Sequence, residues 1–424
     1  MKIRDIKLGF LSAALNQYTF DEISYSFFHR SIAEFGGIPR PSKWISRNTL
    51  LTKALNRTSS AVNFLWSYLF AYLFFTFKAL NYLIKRKRPS NLSCNRSGRP
   101  VALAICDRSF EVMKQTVHRQ ERILWLELPK GSLSHAIREG EDSFIDCLSI
   151  LDPHQILHAL LVSIQVHASL IGNKNKNLVM QSYAALDWIL MLTAIEKLSP
   201  KELIIAEHHD RWAALADYYC SAMRISGASI DFVLVQHGVE HEQTYCEIRS
   251  KGEYKELPYR LRSVTEAYFY DENQFRIFKE CILDNAREST SALKVNFYRF
   301  RLKTFDFGYD GVVVMFVGHP SCEQFQADLY RKISRSRNCC FLYKPHPTVK
   351  NLKTVSPGWI LIQESSQFPK VDLLVAYPST LVDEYRNIGV DSFVHPLRSA
   401  DCDLEKSAAE LIMKLDLIAL ARSK

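Results

Sequence analysis

The chain has 424 residues, 47% hydrophobic and 23% charged, a composition that excludes a disordered or fibrous protein and, by its length, favours two globular domains. Its formal net charge of +9 suits a nucleic acid, an anionic membrane surface or a phosphorylated substrate as partner. No nucleic-acid-binding motif with the required spacing is present, so we expect no nucleic-acid partner.

The cysteines and the amino-terminal residues predict a cytoplasmic protein. The ten cysteines are scattered, without a C-x-x-C pair or a His/Cys cluster at zinc spacing, as is typical of core thiols in a reducing compartment. The first residues, MKIRDIKLGF, lead into no sustained apolar region and no small-residue cleavage site, so no signal peptide is expected.

The first predicted element is an uncharged, aromatic-rich segment, TSSAVNFLWSYLFAYLFFTF, at residues 58–77, followed by the basic run at 85–88. It is long enough to cross a bilayer. A crossing would translocate residues 1–57 with their nine Lys and Arg, against the positive-inside bias. We therefore favour a helix at 58–84 that lies on the inner-membrane surface, with the basic run at anionic headgroups. A buried core helix and a true span are the alternatives.

A polar linker at 89–100 ends this N-terminal helical region (1–100), and an alternation of apolar runs and helical patterns then covers 101–290. Such alternation is typical of an α/β domain with a parallel sheet. The predicted strands are Val101–Ile105, Ile123–Leu128, Leu203–Ala206, Phe232–Val235 and Ala267–Tyr270, with a helix at Arg211–Ile225.

Polar residues follow three of these strands. Gln236-His237-Gly238 comes directly after an apolar strand, and a histidine there suits general-base catalysis because its pKa lies near the working pH. Glu207-His208-His209-Asp210 stands between the preceding strand and its helix, which makes Glu207 and His208 further catalytic candidates. Adjacent histidines on a turn are expected to diverge, so no metal site is predicted. Cys106–Ser109 is a weaker instance of the same pattern.

The stretch at 285–308 has no clear strand signal and is expected to connect two domains. A second α/β series covers 300–424, and the predicted class is therefore α/β with two tandem Rossmann-like domains. Its predicted strands are Val312–Val317, Cys339–Tyr343, Trp359–Ile362, Leu373–Ala376 and Ser392–Val394, and its helices are Cys322–Ser334, Thr380–Ile388 and Leu404–Leu415.

Three loops of the second domain follow strand ends and should meet at one edge of the sheet, where open α/β sheets bind ligands. Together they predict a nucleotide site, although each alone is also explained as a turn or a helix cap. In this site Lys344 would neutralise a diphosphate, His346 would donate to it, Ser379 and Thr380 would hold phosphate, Glu384 would accept from ribose or base, and Gly318 and His319 would line the edge.

Other motifs are absent or explained locally. Asp401-Cys402-Asp403 precedes a helical pattern, and helix capping explains it better than a metal motif does. No P-loop, G-x-S-x-G or G-x-G-x-x-G sequence is present, which excludes the commonest nucleotide hydrolase, esterase and dinucleotide-binding classes.

The order of these motifs resembles that of bacterial surface-polysaccharide transferases of the two-domain GT-B type. These include CDP-glycerol glycerophosphotransferases and the capsule sialyl-, polysialyl- and Kdo-type transferases. The resemblance covers mainly residues 200–395. It implies that His237 is the catalytic base, that His346-Pro347 contacts a cytidine nucleotide and that Ser379-Thr380 holds its phosphate. Gln236 departs from the tryptophan of the glycerophosphotransferases, and Tyr309-Asp310-Gly311 matches the acidic motif of the sialyltransferases poorly.

The sequence thus favours an inverting, metal-independent transferase that needs no cofactor beyond its nucleotide-activated donor, a CMP- or CDP-linked sugar or polyol. The expected acceptor is a glycan on a lipid carrier at the cytoplasmic membrane, and other polysaccharide assembly proteins are possible partners. Two alternatives are a nucleotide-sugar 2-epimerase and a non-catalytic scaffold of a polysaccharide assembly complex.

Overall fold

In the computed structural model the chain forms two compact units, an N-terminal unit (Met1–Tyr298) and a C-terminal unit (Arg299–Lys424). The structure describes residues 3–26, 57–86, 98–118, 122–129, 131, 133–134, 144–171, 176–240, 257–284, 293–319, 322–334, 339–345, 358–362, 367–397 and 401–422.

The N-terminal unit is built on a sheet of seven parallel strands in the order β3-β2-β1-β4-β5-β6-β7. Its central strands are continuous apolar runs, as expected where helices cover both faces of a parallel sheet. The strands are β1 (Pro100–Ala104), β2 (Leu124–Glu127), β3 (Phe144–Asp146), β4 (Glu202–Ile205), β5 (Asp231–Val235), β6 (Glu266–Phe269) and β7 (Lys294–Phe297).

The helices of this unit include three in the connection between β3 and β4. In chain order they are α1 (Ile3–Ser26), α2 (Ser59–Lys85, with a π-helical turn at Trp66–Phe70), α3 (Asp107–Thr116), α4 (Cys147–Ile150), α5 (Pro153–Ile171), α6 (Ala185–Leu198, preceded by a 3₁₀ segment at Lys176–Ala184), α7 (Arg211–Ile225) and α8 (Glu272–Cys281).

Helices α1 and α2 belong to the core of the N-terminal unit. Phe10 of α1 and Phe75 of α2 are buried in the same hydrophobic cluster as the sheet. The Lys78 ammonium of α2 lies 2.8 Å from the Asp187 carboxylate of α6, and both side chains are buried. The described helices of the predicted N-terminal region (1–100) therefore lie in the same compact unit as the sheet.

The C-terminal unit repeats the topology on a smaller scale, with the parallel order β11-β10-β9-β13-β14 and a separate β12-β8 pair. Its strands are β8 (Thr304–Phe305), β9 (Val312–Val317), β10 (Cys339–Lys344), β11 (Ile360–Leu361), β12 (Phe368–Pro369), β13 (Leu373–Ala376) and β14 (Asp391–Val394). Its helices are α9 (Glu323–Ser334), α10 (Thr380–Arg386) and α11 (Leu404–Arg422).

These two parallel sheets confirm the predicted α/β class with two Rossmann-like sheets, and every predicted strand is found within one residue of its predicted ends. The edge strands β3 and β7 were not predicted. Strand β7 (Lys-Val-Asn-Phe) lies in the stretch that was expected to be a connection. It was not predicted because an exposed edge strand requires no continuous apolar run.

Candidate functional site

The strand order places a topological switch point in each unit. In the N-terminal sheet the chain runs outward from β1 to β3 and then returns to β4 on the other side of β1, so the connections after β1 and β4 leave in opposite directions. Ligands of open α/β sheets bind in the crevice that this divergence opens at the carboxyl ends of the strands. In the C-terminal sheet the same switch lies between β9 and β13.

At the switch point of the N-terminal unit the structure brings together the loops that the sequence singled out. Cys106–Ser109 follows β1, Glu207–Asp210 follows β4 and Gln236–Gly238 follows β5, and these three strands are direct neighbours. The Glu207 carboxylate is near enough to both Cys106 and Asp210 to add to the effect of burial in raising the pKa of each.

The His237 ring is held in one tautomer. Its Nδ1 lies 2.5 Å from the carbonyl oxygen of Ala206 at the end of β4. A carbonyl oxygen only accepts hydrogen bonds, so Nδ1 carries the proton and Nε2 of the neutral ring keeps its lone pair. Burial, and then the charge of His208, lower the pKa of His237 to about 4. The ring is therefore neutral at physiological pH and its Nε2 can accept a proton.

The turn that carries His237 is fixed by two buried glutamines. Gln236 donates to the Gly238 carbonyl at 2.8 Å and to the side-chain oxygen of Gln274 at 2.5 Å, and its own oxygen accepts from the Tyr270 amide at 3.1 Å. Gln274 in turn bonds the backbone of Glu240 on both sides. Gln236, which stands where the glycerophosphotransferases have tryptophan, thus stabilises the turn through its hydrogen bonds. Gln274 was not predicted, and no local signal marks it.

His208 and His209 both turn towards Glu240, contrary to the predicted divergence. The His208 Nε2 is hydrogen-bonded to Glu240 Oε1, and the His209 Nδ1 lies 3.6 Å from the same oxygen. The rings are nearly perpendicular, with centroids 4.8 Å apart, because the chain bends between β4 and α7 instead of continuing as a strand. The ring of Phe20 on α1 stacks on His209. Glu240 was missed because nothing near it in the sequence marks it as the partner of a loop 32 residues earlier.

In the C-terminal unit, Gly318 and His319 follow β9 and Tyr377–Thr380 follows β13, on the two sides of the switch point. The His319 and Tyr377 rings meet edge to face with centroids 5.1 Å apart. A Cβ atom at Gly318 would lie 2.0 Å from the Tyr343 hydroxyl, so only glycine fits there. The predicted residues of these two loops therefore do lie at one edge of the sheet.

Lys344, at the end of β10, points into the protein. It is 6% exposed, its Nζ donates to the Gln367 carbonyl at 2.8 Å, and the ammonium lies 4.5 Å from the centre of the Phe368 ring. Burial lowers the pKa of Lys344 to about 8. In the structure the Lys344 ammonium holds the 367–368 segment. To contact a diphosphate, it would have to give up its hydrogen bond to the Gln367 carbonyl or donate to both. His346 lies outside the described residues.

Ser379 and Thr380 begin α10 as predicted. Ser379 is the N-cap residue, and its hydroxyl makes no cap hydrogen bond. Among the described residues this buried oxygen has no hydrogen-bond partner. Glu384 lies within the same helix and is 2% exposed. Ser379 is therefore the N-cap residue by position, but its hydroxyl does not accept a hydrogen bond from the backbone amides of the first turn, as a capping serine usually does.

Helix α2 exposes an apolar stripe on the side opposite its buried face. Phe77 is 75% and Ile84 83% exposed, and the stripe contains no charged residue because Lys78 points inward to Asp187. Its members recur at helical spacing: Phe64, Leu65, Tyr68, Leu69, Leu73, Phe77, Leu80 and Ile84. Arg86 bonds the Leu151 carbonyl at 2.7 Å.

Three helical stretches in the described chain are long and apolar enough to cross a membrane by length and composition. They are Ser59–Lys85, Pro153–Ile171 and Leu178–Leu198, with 17%, 39% and 89% of the most apolar window buried in the protein. The third is a core element by this measure.

No protein-family model and no curated protein matches the sequence. Solved structures similar in fold include MurG of Acinetobacter baumannii (10% identity, 76% of this chain and 94% of that one, TM-score 0.35). Two others are the Streptomyces sp. SF2575 glycosyltransferase SsfS6, solved with thymidine diphosphate (8%, 77% and 100%, 0.33), and the glycosyltransferase SnogD of Streptomyces nogalater (8%, 76% and 95%, 0.33). At these identities and scores the likeness concerns the arrangement of strands and helices alone.

Proposed function

We propose that the protein is a glycosyltransferase, or polyol-phosphate transferase, of bacterial surface-polysaccharide synthesis that uses a nucleotide-activated donor, CMP- or CDP-linked. The observation that carries the proposal is the pair of switch points, one in each unit, each flanked by the polar residues that the sequence singled out. Such a pair offers one site for a nucleotide and one for an acceptor.

In the N-terminal unit, His237 acts as the general base. The Ala206 carbonyl fixes its tautomer, so its Nε2 is available to take the proton of an acceptor hydroxyl as that oxygen attacks the donor. Glu207 and His208 belong to the same strand edge.

In the C-terminal unit, the donor nucleotide binds at the edge formed by Gly318, His319 and Ser379. The Gly318 backbone is packed against the Tyr343 hydroxyl, and the buried Ser379 hydroxyl, without a partner in the described chain, supplies a hydrogen bond. Lys344, His346, Thr380 and Glu384 complete the proposed site. Transfer is proposed to need no metal, because Lys344 would neutralise the diphosphate and His346 would donate to a phosphate oxygen.

The apolar stripe of α2 supports the proposal that the protein binds the cytoplasmic membrane, where a lipid-linked glycan acceptor would be found. Exposure of an uncharged apolar stripe to water is unfavourable, by about 25 cal/mol per Å² of apolar surface. A helix that lies in the membrane interface removes this surface from water. We assign the stripe to the membrane because it continues into Lys85 and the basic run.

A thermal-shift screen of CMP, CDP, UDP, GDP and their sugar conjugates tests the donor. A nucleotide at a hundredfold excess over its Kd should add about 2.7 kcal/mol of apparent stability. Cytidine nucleotides should give the largest shift, whereas a preference for UDP would contradict the cytidine assignment. Release of free UDP from a UDP-N-acetylhexosamine without acceptor would indicate the 2-epimerase instead. If no nucleotide binds, the non-catalytic scaffold is the remaining hypothesis.

A further inference from the structure

The buried His208 and the half-buried His237 lie side by side at the carboxyl edge of the N-terminal sheet, and they face partners of different charge. The centroids of the His208 and His237 rings are 5.1 Å apart. The His208 Nε2 contacts the Glu240 carboxylate, whereas the His237 Nδ1 contacts the neutral carbonyl of Ala206. His208 is 3% exposed, so a substrate reaches it only through its neighbours.

We propose that Glu240 is a positioning residue that holds a proton on His208 and so keeps the neighbouring His237 neutral, and able to accept a proton, down to a lower pH. The proposal rests on the function proposed above, in which His237 is the base. A carboxylate bonded to imidazole stabilises the imidazolium form, and a second imidazolium about 5 Å away is then disfavoured by like-charge repulsion. One proton is thus placed on one ring, and the ring that meets the acceptor stays unprotonated.

The charged groups around the two rings agree with this distribution. Glu240 from the β5 turn, together with Glu207 and Asp210 from the loop that holds His208, opposes the effect of burial and raises the pKa of His208. The Phe278 ring of α8 covers His208 with centroids 5.0 Å apart and adds no charge. Arg108 of α3 adds a positive charge that, like His208, lowers the pKa of His237, whereas the Glu240 carboxylate itself raises that pKa by a smaller amount than His208 lowers it.

Glu240 is held in place by its backbone. Its amide donates to the Gln274 side-chain oxygen at 2.8 Å, and its carbonyl accepts from the Gln274 nitrogen at 3.0 Å. Gln274 is 4% exposed and its own amide donates to Asp271, the N-cap of α8, at 2.8 Å. The carboxylate is therefore positioned by α8, a rigid element, although it stands in a loop.

A metal ion is the competing interpretation, because donor atoms of His208, His209 and Glu240 all lie within 4.8 Å of one another. Two ligands of one zinc ion, each about 2.0–2.1 Å from it in tetrahedral geometry, stay about 3.3 Å apart. The His208 Nε2 and Glu240 Oε1 atoms are instead in hydrogen-bond contact. This geometry is that of two groups that share a proton.

The test is the protonation of each imidazole, read from ¹⁵N shifts of the ring nitrogens in the full-length protein. Substitutions His208→Gln and His237→Gln assign the signals. At about pH 7 we expect His208 to be doubly protonated and His237 to carry one proton, on Nδ1. In Glu240→Gln we expect His208 to become singly protonated and the titration midpoint of His237 to rise by about one pH unit.

The matched control is Glu266→Gln, which removes a carboxylate paired with Lys294 on β7 and should leave both rings as in the wild type. Glu240→Asp retains the charge should Glu240→Gln not fold, and it should keep His208 doubly protonated. In a transfer assay the acid limb of the pH–rate profile should move up by about one pH unit in Glu240→Gln, while turnover at about pH 7 and the donor Kd stay unchanged.

A singly protonated His208 in the wild type between about pH 5 and 8 would overturn the proposal. So would an unchanged His237 midpoint in Glu240→Gln, or stoichiometric Co²⁺ binding with a tetrahedral absorption spectrum that His209→Ala abolishes. The ring signals require no substrate, so failure of the transfer assay alone contradicts the proposed function and leaves the proton distribution as measured.

Discussion

At the scale of single residues, the two histidines singled out by the sequence are predicted to have separable effects. His237→Ala removes the group that accepts the acceptor proton, so turnover should fall by about 10²–10⁴-fold. The donor Kd should not change, because His237 belongs to the N-terminal sheet and the proposed nucleotide site to the C-terminal sheet. Calorimetric titration of the donor and initial rates measure the two quantities.

His346→Ala is the matched comparison, predicted from the sequence to weaken donor binding by about 1.5–3 kcal/mol if the lost bond is to a charged phosphate. Equal loss of donor affinity in both variants would place both histidines on the nucleotide. Full activity of His237→Ala would end the proposed mechanism.

A third histidine, His395, predicts how the C-terminal unit responds to acid. Its Nδ1 donates to the Pro396 carbonyl at 2.8 Å and its Nε2 accepts from the Gln326 amide at 2.9 Å, so the folded ring has no place for a second proton. Burial lowers its pKa below the ordinary value. The unfolded chain therefore binds a proton more readily, and stability that is present above about pH 6.5 is lost as the pH falls from that value towards the lower pKa of the folded ring.

The loss from His395 should approach about 1.4 kcal/mol per pH unit below the unfolded pKa. Urea unfolding at a series of pH values measures it, with His395→Gln as the variant that lacks the titrating ring. A pH slope as steep in His395→Gln as in the wild type would show that other groups cause the acid response.

At the scale of elements, α2 has two apolar faces with different fates. Phe75 is fully buried in the N-terminal core, while Leu73 and Phe77 on the stripe are 59% and 75% exposed. Substitution of Leu73 or Phe77 by glutamate should abolish flotation with anionic liposomes. It should leave the free energy of unfolding within about 0.5 kcal/mol of the wild type. Phe75→Glu should instead unfold the unit, because it buries an unpaired charge.

Neutralising Lys85, Lys87 and Arg88 should weaken flotation by about 1 kcal/mol for each residue near the surface, and more so at low salt. Arg86 should matter less because it is bonded to Leu151. Liposome binding that is indifferent to both sets of substitutions would contradict a membrane role of the stripe.

The elements that could be predicted are those whose signal is local. Strand β9 is a run of six buried apolar residues, and helix α7 begins after Asp210, whose carboxylate caps it at 2.8 Å from the Trp212 amide. Edge strand β3 has only three residues and leaves no such run. The packing of α1 was not predicted, and that of α2 was only an alternative, because it depends on contacts such as Lys78–Asp187, between residues with no common pattern.

For the candidate site, the sequence predicted which loops meet but not which atoms do. His237 and His208 stand directly after strands, and parallel neighbours place such residues at one edge. Lys344 bonds the Gln367 carbonyl, and Glu240 bonds His208. Both contacts follow from side-chain packing between different elements. Such pairings have no signature within a short stretch of sequence.

At the scale of the whole molecule, the two units have separate hydrophobic cores, so each should respond to its own substitutions. Phe10 of α1 is 1% exposed and meets Trp188 edge to face at 5.7 Å, whereas Leu8 of the same helix is 55% exposed. Phe10→Ala should therefore destabilise the N-terminal unit by about 3–5 kcal/mol. Leu8→Ala, the control, should cost no more than about 0.5 kcal/mol.

Phe316, fully buried on β9, is the counterpart in the C-terminal unit. In calorimetric unfolding of the full chain, Phe10→Ala should lower one transition and Phe316→Ala another, because the cavity left by each truncation lies in a different core. A donor nucleotide should raise only the transition that Phe316→Ala lowers, since ligand binding stabilises the unit that holds the site. A single transition lowered equally by both substitutions would mean that the units unfold as one, and Phe10→Ala would then weaken the donor-bound state as much as the free protein.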